Sequence, residues 1–184
     1  LRTDATVGCW GAGLYRDTDL GITFEVESVQ PVVDPAEAPI AAYTDVAVND
    51  REGCAVRTSG AVDCWRPDGV AYAISGITNA TSITAIGTGA FCARRETGRV
   101  ACWDRGFARV ADPVEPPTAW TNGAIATDVP GITDAISVSG LCALRATGTV
   151  SCWTISHRPQ YGDASLTFTA PTDLFGSTGS DTAT

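Results

Sequence analysis

The stretch "LCALRATGTVSCW" (Leu141–Trp153) decides the architecture. Two cysteines stand ten apart, a glycine lies between them, and a tryptophan follows the second cysteine. The same frame recurs as "GCAVRTSGAVDCW" (Gly53–Trp65) and "FCARRETGRVACW" (Phe91–Trp103). In "CALRATGTVSC" the runs Cys142–Arg145 and Thr149–Cys152 flank "ATG", a tight connection in which glycine supplies φ > 0. A turn centred on Thr147 sets Cys142 opposite Cys152 on antiparallel strands. Directly opposed, non-hydrogen-bonded positions bring Cβ atoms to roughly 4.5–5.5 Å. A disulfide wants about 3.8 Å, so a modest local adjustment closes it. Each such loop contributes about 2.5–3 kcal/mol in the chain-entropy account. The frame is therefore read as a stapled β-hairpin used once per unit, pairing Cys54 with Cys64, Cys92 with Cys102, and Cys142 with Cys152. The tryptophan lies on the opposite face of its strand and packs between units.

Aligned on the Cys-Trp pair, the chain has four phases: Cys9-Trp10, Cys64-Trp65, Cys102-Trp103 and Cys152-Trp153. Their intervals of 55, 38 and 50 residues suit units of four short strands with variable loops. Upstream of each complete frame stands an alternating run, "TDVAVND", "TSITAIG" or "TDAISVS", which reads as a half-buried strand. The first frame is cut. "LRTDATVGCWG" matches only its second half, with Thr3-Asp4-Ala5 in the turn, so Cys9 is unpaired in this chain and its partner is expected just upstream of Leu1. "VVDPAEAPIAAY", "VADPVEPPTAW" and "ATDVPGITDA" read as irregular rim loops. The reading divides the chain into repeats over 1–168 and a flexible Ser/Thr/Gly-rich tail or linker over 169–184. No helix of useful length is supported.

The 184 residues are enough for one domain burying roughly 70% of its unfolded surface. Seven cysteines favour an oxidising compartment, outside the cell or at its surface. A net charge of −9, with a pI near 4.4, argues against a nucleic-acid partner, since phosphate binding needs clustered cations. All 12 cations are arginines. The chain has no methionine, which suggests a processed product or a part of something longer. No apolar run long enough for a membrane span exists.

These features resemble the bacterial branch of the regulator-of-chromosome-condensation repeat family. The resemblance rests on "VPGITDAISVSGLCALRATGTVSCW" (Val129–Trp153), similar to a nearly complete unit, and on "CWGAGLYRDTDLG" (Cys9–Gly21). It departs where Trp65, Trp103 and Trp153 are followed by Arg, Asp and Thr in place of Gly. The resemblance implies an all-β fold: a partial β-propeller of about three to four blades with disulfide-stapled hairpins. Family propellers close with more blades, and an open half-ring leaves two sheet faces uncovered. The resemblance leaves three arrangements open: further blades before Leu1 or after Thr184, two chains completing one ring, or half-rings packed head to tail. The cut within a hairpin at Leu1 favours the first.

Repeated cysteines also raise zinc, but a spacing of ten, no Cys-x-x-Cys knuckle and the solitary His157 count against any metal. His157 in "ISHRPQYG" reads as a solvated loop residue, and no nucleophile triad can be assembled. The pairs Asp17/Asp19 and Glu25/Glu27 read as solvated charges. The sequon Asn79–Thr81 reads as a chance match. No cofactor is implied and no catalytic residue is assigned. Trp120, Tyr161, Arg105 and Tyr15 lie outside the repeated frame, so they are the candidate binding residues of the variable loops. The expectation is a secreted or surface-displayed scaffold that binds a protein partner through those loops. Its alternative is a structural subunit whose partial propellers complete each other by self-association. An enzyme is the least favoured reading.

Overall fold

A computed structural model describes residues 1–17, 22–33, 42–49, 52–65, 71–87, 89–104, 125–157 and 166–174. They form sixteen strands, and among the described residues there is no helix. Three antiparallel sheets have four strands each. Blade A comprises β3 (Tyr43–Val48), β4 (Gly53–Arg57), β5 (Val62–Trp65) and β6 (Ala71–Ala73). Blade B comprises β7 (Ala80–Ile86), β8 (Ala90–Arg95), β9 (Val100–Asp104) and β10 (Thr127–Asp128). Blade C comprises β11 (Ala135–Ser139), β12 (Cys142–Arg145), β13 (Val150–Cys152) and β16 (Thr172–Asp173). Before them β1 (Gly8–Asp17) pairs with β2 (Ile22–Pro31), and β14 (Ile155–His157) pairs with β15 (Thr167–Phe168).

The three alternating runs supply β3, β7 and β11, the first strand of each blade. The frame supplies the second and third, with Cys54 opposite Cys64, Cys92 opposite Cys102 and Cys142 opposite Cys152. The fourth strands are two or three residues long. One of them, β10, lies within the stretch read as a rim loop. Another, β16, lies within 169–184, so the boundary read at 168 falls inside blade C; residues 175–184 lie outside the described residues.

Successive blades are sealed by one repeated contact. Strand alternation puts Cys54, Val56, Val62 and Cys64 on one face of blade A, where they pack with Phe91, Ala93, Ala101 and Trp103 of blade B. The other face of blade B carries Cys92, Val100 and Cys102, which pack with Ala143 and Trp153 of blade C. At the other end, Trp65 and Ala55 of blade A pack with Val7, Val32 and Cys9 of the first unit. The disulfide face of each sheet thus meets the tryptophan face of the next. These side chains are almost wholly removed from water: Cys54, Cys64, Cys92 and Cys102 are 0% exposed, and Trp65, Trp103 and Trp153 are 2–3% exposed. A buried indole removes a large apolar area from water in a single residue, so each seal is concentrated on one side chain.

Candidate interaction surfaces

At the lower end of each blade the frame turns back on itself. Arg57 N–H bonds Ala61 O, Arg95 N–H bonds Arg99 O, and Arg145 N–H bonds Thr149 O, at 2.8 Å in each case. The turn glycines Gly60, Gly98 and Gly148 have φ of +82°, +79° and +82°, the region that side chains avoid. The same turn opens the chain: Arg2 N–H bonds Thr6 O, and Ala5 holds the glycine position with φ +62°. Asp4 Oδ1 accepts both the Thr6 hydroxyl and the Thr6 N–H, and these bonds hold its carboxyl below the usual carboxylate value.

The next blade clasps each tip. Tyr43 N–H donates to Ala5 O, Ala80 N–H to Gly60 O, and Ala135 N–H to Gly98 O, at 2.8–3.0 Å. Arginine side chains lock the same corner. Arg57 pairs with buried Asp63, which also accepts the Tyr43 hydroxyl at 2.9 Å. Arg95 reaches Asp128, Asn79 and the Gly76 carbonyl, and Arg99 shares Asp128. Arg145 pairs with Asp134 at 2.6 Å. Burial, and then the Asp63 charge, push the Tyr43 hydroxyl well above its ordinary value. This corner is structural. It was missed in the sequence, although the arginine stands three residues after the first cysteine in all three complete frames.

The opposite rim collects the variation. Every connection from a third to a fourth strand leaves a sheet at the end away from its stitched tip. In blade A it spans 66–70, in blade B 105–126, and in blade C 153–171 with β14 and β15 inside it. Arg105 and Trp120 fall in the second of these connections and Tyr161 in the third; all three lie outside the described residues. Tyr15 lies in β1. His157 ends β14. Among the described residues, no group of three or more His, Cys, Asp or Glu side chains could hold a metal ion. Asn79 of the sequon accepts a hydrogen bond from Arg95 at 2.9 Å.

The cysteine pairs are joined, with Cα atoms 3.9, 4.0 and 4.1 Å apart. This is closer than the roughly 4.5 Å of an unlinked pair, so the adjustment is made by drawing the strands together. Cys9 carries a free thiol whose Sγ accepts the Trp65 indole N–H at 3.2 Å, and burial raises its pKa. Cys9 holds against Trp65 the place that the disulfides hold against Trp103 and Trp153.

The second surface is the disulfide face of blade C, which is more open among the described residues than the same face of blades A and B. Cys142, Val150 and Cys152 are only half-buried, Leu144 is 38% exposed, and Leu174, paired with Val150 through its N–H, is 54% exposed. The equivalent Cys54, Val56, Val62 and Cys64 of blade A are wholly buried. The tip differs in the same way. A Cβ on Gly60 would lie 2.6 Å from Thr78 O and one on Gly98 2.8 Å from Thr133 O, whereas one on Gly148 would meet nothing within 4 Å.

Solved structures with this fold exist. Human WBSCR16 matches with a TM-score of 0.60 and 17% identity, covering 96% of this chain and 50% of that one. Prp20p from Saccharomyces cerevisiae, described with its binding to Gsp1p and histones, matches with a TM-score of 0.57 and 14% identity, over 94% and 47%. Yeast RCC1 (Prp20) in a structure with Kap60 matches with a TM-score of 0.56 and 13% identity, over 94% and 45%. The chain thus spans about half the length of the solved propellers that it matches. No protein-family model and no curated protein sequence matches the chain.

Proposed function

We propose that this chain, a partial β-propeller with the fold of RCC1 repeats, is a non-enzymatic scaffold that binds another protein through the loops of its variable rim. The observation that carries the reading is the contrast within each blade. The frame and its stitched corner repeat from blade to blade, while the connection from third to fourth strand changes in length and composition at the same rim each time. A rigid scaffold presenting divergent loops is a common arrangement for recognition. The Prp20p structures described with Gsp1p, histones and Kap60 lend the fold a precedent for holding proteins. Three disulfides favour an oxidising setting, secreted or at a bacterial cell surface. The test is capture from a surface proteome with the wild type and with a variant whose 105–124 loop is replaced by a Gly/Ser linker of equal length. A protein retained by the first and lost by the second supports the reading; capture of nothing by either overturns it.

The open face of blade C favours a second reading, in which partial propellers complete each other as subunits of an extracellular assembly. The exposed apolar side chains Leu144 and Leu174 on that face fit a covering partner.

A further inference from the structure

We infer that the bridges Cys54–Cys64 and Cys92–Cys102 form a redox switch read by the tryptophan that each one faces: opening the bridge gives a buried indole N–H the thiol acceptor it lacks. Trp103 packs with Cys54 and Cys64, and Trp153 with Cys92 and Cys102. Both indoles are 2–3% exposed, and among the described residues nothing accepts a hydrogen bond from Trp103 Nε1 or Trp153 Nε1. A buried donor left unpaired costs the desolvation of that group with no bond in return. Phe91 stacks on Trp103 with ring centroids 6.1 Å apart and planes at 17°, which holds the indole in its place on the seam.

The seam between the first unit and blade A holds the same indole against a reduced sulfur. Cys9 stands before Trp10 as Cys64 stands before Trp65, and its free thiol accepts the Trp65 N–H at 3.2 Å. Three tryptophans thus share one place in the frame. The one that meets a thiol is bonded, and the two that meet a bridge are not. In a bridge each sulfur is tied to its partner, whereas a thiol turns about its own Cα–Cβ bond and can present a lone pair to the donor. A dithiol reductant completes the reaction. Its thiolate attacks one sulfur, the S–S bond breaks through a mixed disulfide, and the reductant closes into its own disulfide. The two protons that it gives up end on the two cysteines of the opened bridge, and one of those thiols then accepts the indole N–H. The oxidised seam carries the unpaired donor and the reduced seam does not. Each bridge is therefore easier to open than its register alone would make it, and the new bond helps to keep the seam closed afterwards.

The experiment replaces Trp153 or Trp103, one at a time, by benzothienylalanine, which keeps the ring shape and puts sulfur in place of the N–H. Each bridge is equilibrated against a dithiol–disulfide buffer, trapped by alkylation and read by peptide mapping. The isostere in place of Trp153 should make Cys92–Cys102 about tenfold harder to reduce, or about 30 mV lower in potential, and leave Cys54–Cys64 unchanged. In place of Trp103 it should shift Cys54–Cys64 and leave Cys92–Cys102 unchanged. In proton–nitrogen NMR of the wild type, the Nε1–H signals of Trp103 and Trp153 should move on reduction while that of Trp65, already bonded to a thiol, stays. Bridges that open at the same potential with and without the N–H overturn the inference, as do shifts that strike both bridges alike. Indole signals of Trp103 and Trp153 that stay in place overturn it, and so does circular dichroism showing that the reduced chain unfolds.

Discussion

Three glycines share one position in the frame and one backbone conformation, yet differ in what lies against them, so their alanine variants separate backbone strain from steric conflict. At Gly148, φ is +82° and a methyl group meets open space. An L-residue there costs about 1–2 kcal/mol for the left-handed backbone, less about 0.4–1 kcal/mol recovered from the unfolded chain. Ala5, at φ +62° in the equivalent turn, shows that the chain already accommodates alanine there. At Gly98, φ is +79°, but the methyl would sit 2.8 Å from Thr133 O and 3.1 Å from Asp134 Cα. Both are backbone atoms of the strand entry that clasps the tip, so relief requires blades B and C to part. Overpacking of this kind adds about 1–3 kcal/mol. Gly98→Ala is therefore expected to destabilise by about 2 kcal/mol more than Gly148→Ala, or a further drop in Tm of roughly 4–8 °C for a chain of this size. Calorimetry of the oxidised proteins, at a concentration where light scattering shows monomer, reads the difference. Equal losses for the two variants would refute the reasoning, because they would mean that the clasp contributes nothing beyond the shared φ.

Other outcomes follow from the same geometry. Under mild reductant, Cys142–Cys152 should open first, because Cys54, Cys64, Cys92 and Cys102 are wholly buried; quenching with an alkylating agent and peptide mapping reads the order. Replacing Cys92 and Cys102 together by serine should lower stability by at least about 2.5–3 kcal/mol in denaturant titrations. Arg95→Ala, which removes bonds to Asp128, Asn79 and Gly76 O, should cost about 2–3 kcal/mol. The more exposed Arg99→Ala should cost under about 1 kcal/mol in the same titration. Folding raises the Tyr43 pKa above its ordinary 10.0, so above that pH the unfolded chain sheds a proton that the folded one keeps, and stability falls as pH rises. With no lysine to titrate in that range, the decline in Tm between pH 9 and 11 should be visibly shallower in Tyr43→Phe, at the expense of about 1 kcal/mol at neutral pH for the lost bond to Asp63.

What could be read from residues follows the strength of local chemistry. The second and third strands of every blade were legible because a period of two, a glycine at positive φ and two cysteines in register all act within about a dozen residues. The first strands were legible from their alternation alone. Strands β6, β10 and β16 were not, since two or three residues carry no period, and each is a strand only because a neighbouring edge accepts it. The role of the tryptophans between units was legible from alternation, but the partner was not. That Trp103 seals the Cys54–Cys64 face is a relation between frames far apart in sequence. The arginine corner left a signal in the alignment of the three frames, yet its meaning depends on carboxylates at Asp63, Asp128 and Asp134 that stand in no common register. The loop residues Arg105, Trp120 and Tyr161 were chosen because packing does not demand them, and they lie outside the described residues.

Because every seal joins the same kind of face to the same kind of face, the seams at Ala80 and Ala135 are interchangeable. Excising residues 80–134 would join Asn79 to Ala135, bring Ala135 N–H to the Gly60 carbonyl, and lay Trp153 over the Cys54–Cys64 bridge in place of Trp103. Recombination between genes that respects these two seams exchanges whole rim loops without designing a new interface. A lineage built in this way can lengthen, shorten or reshuffle its recognition surface while its interior stays unchanged.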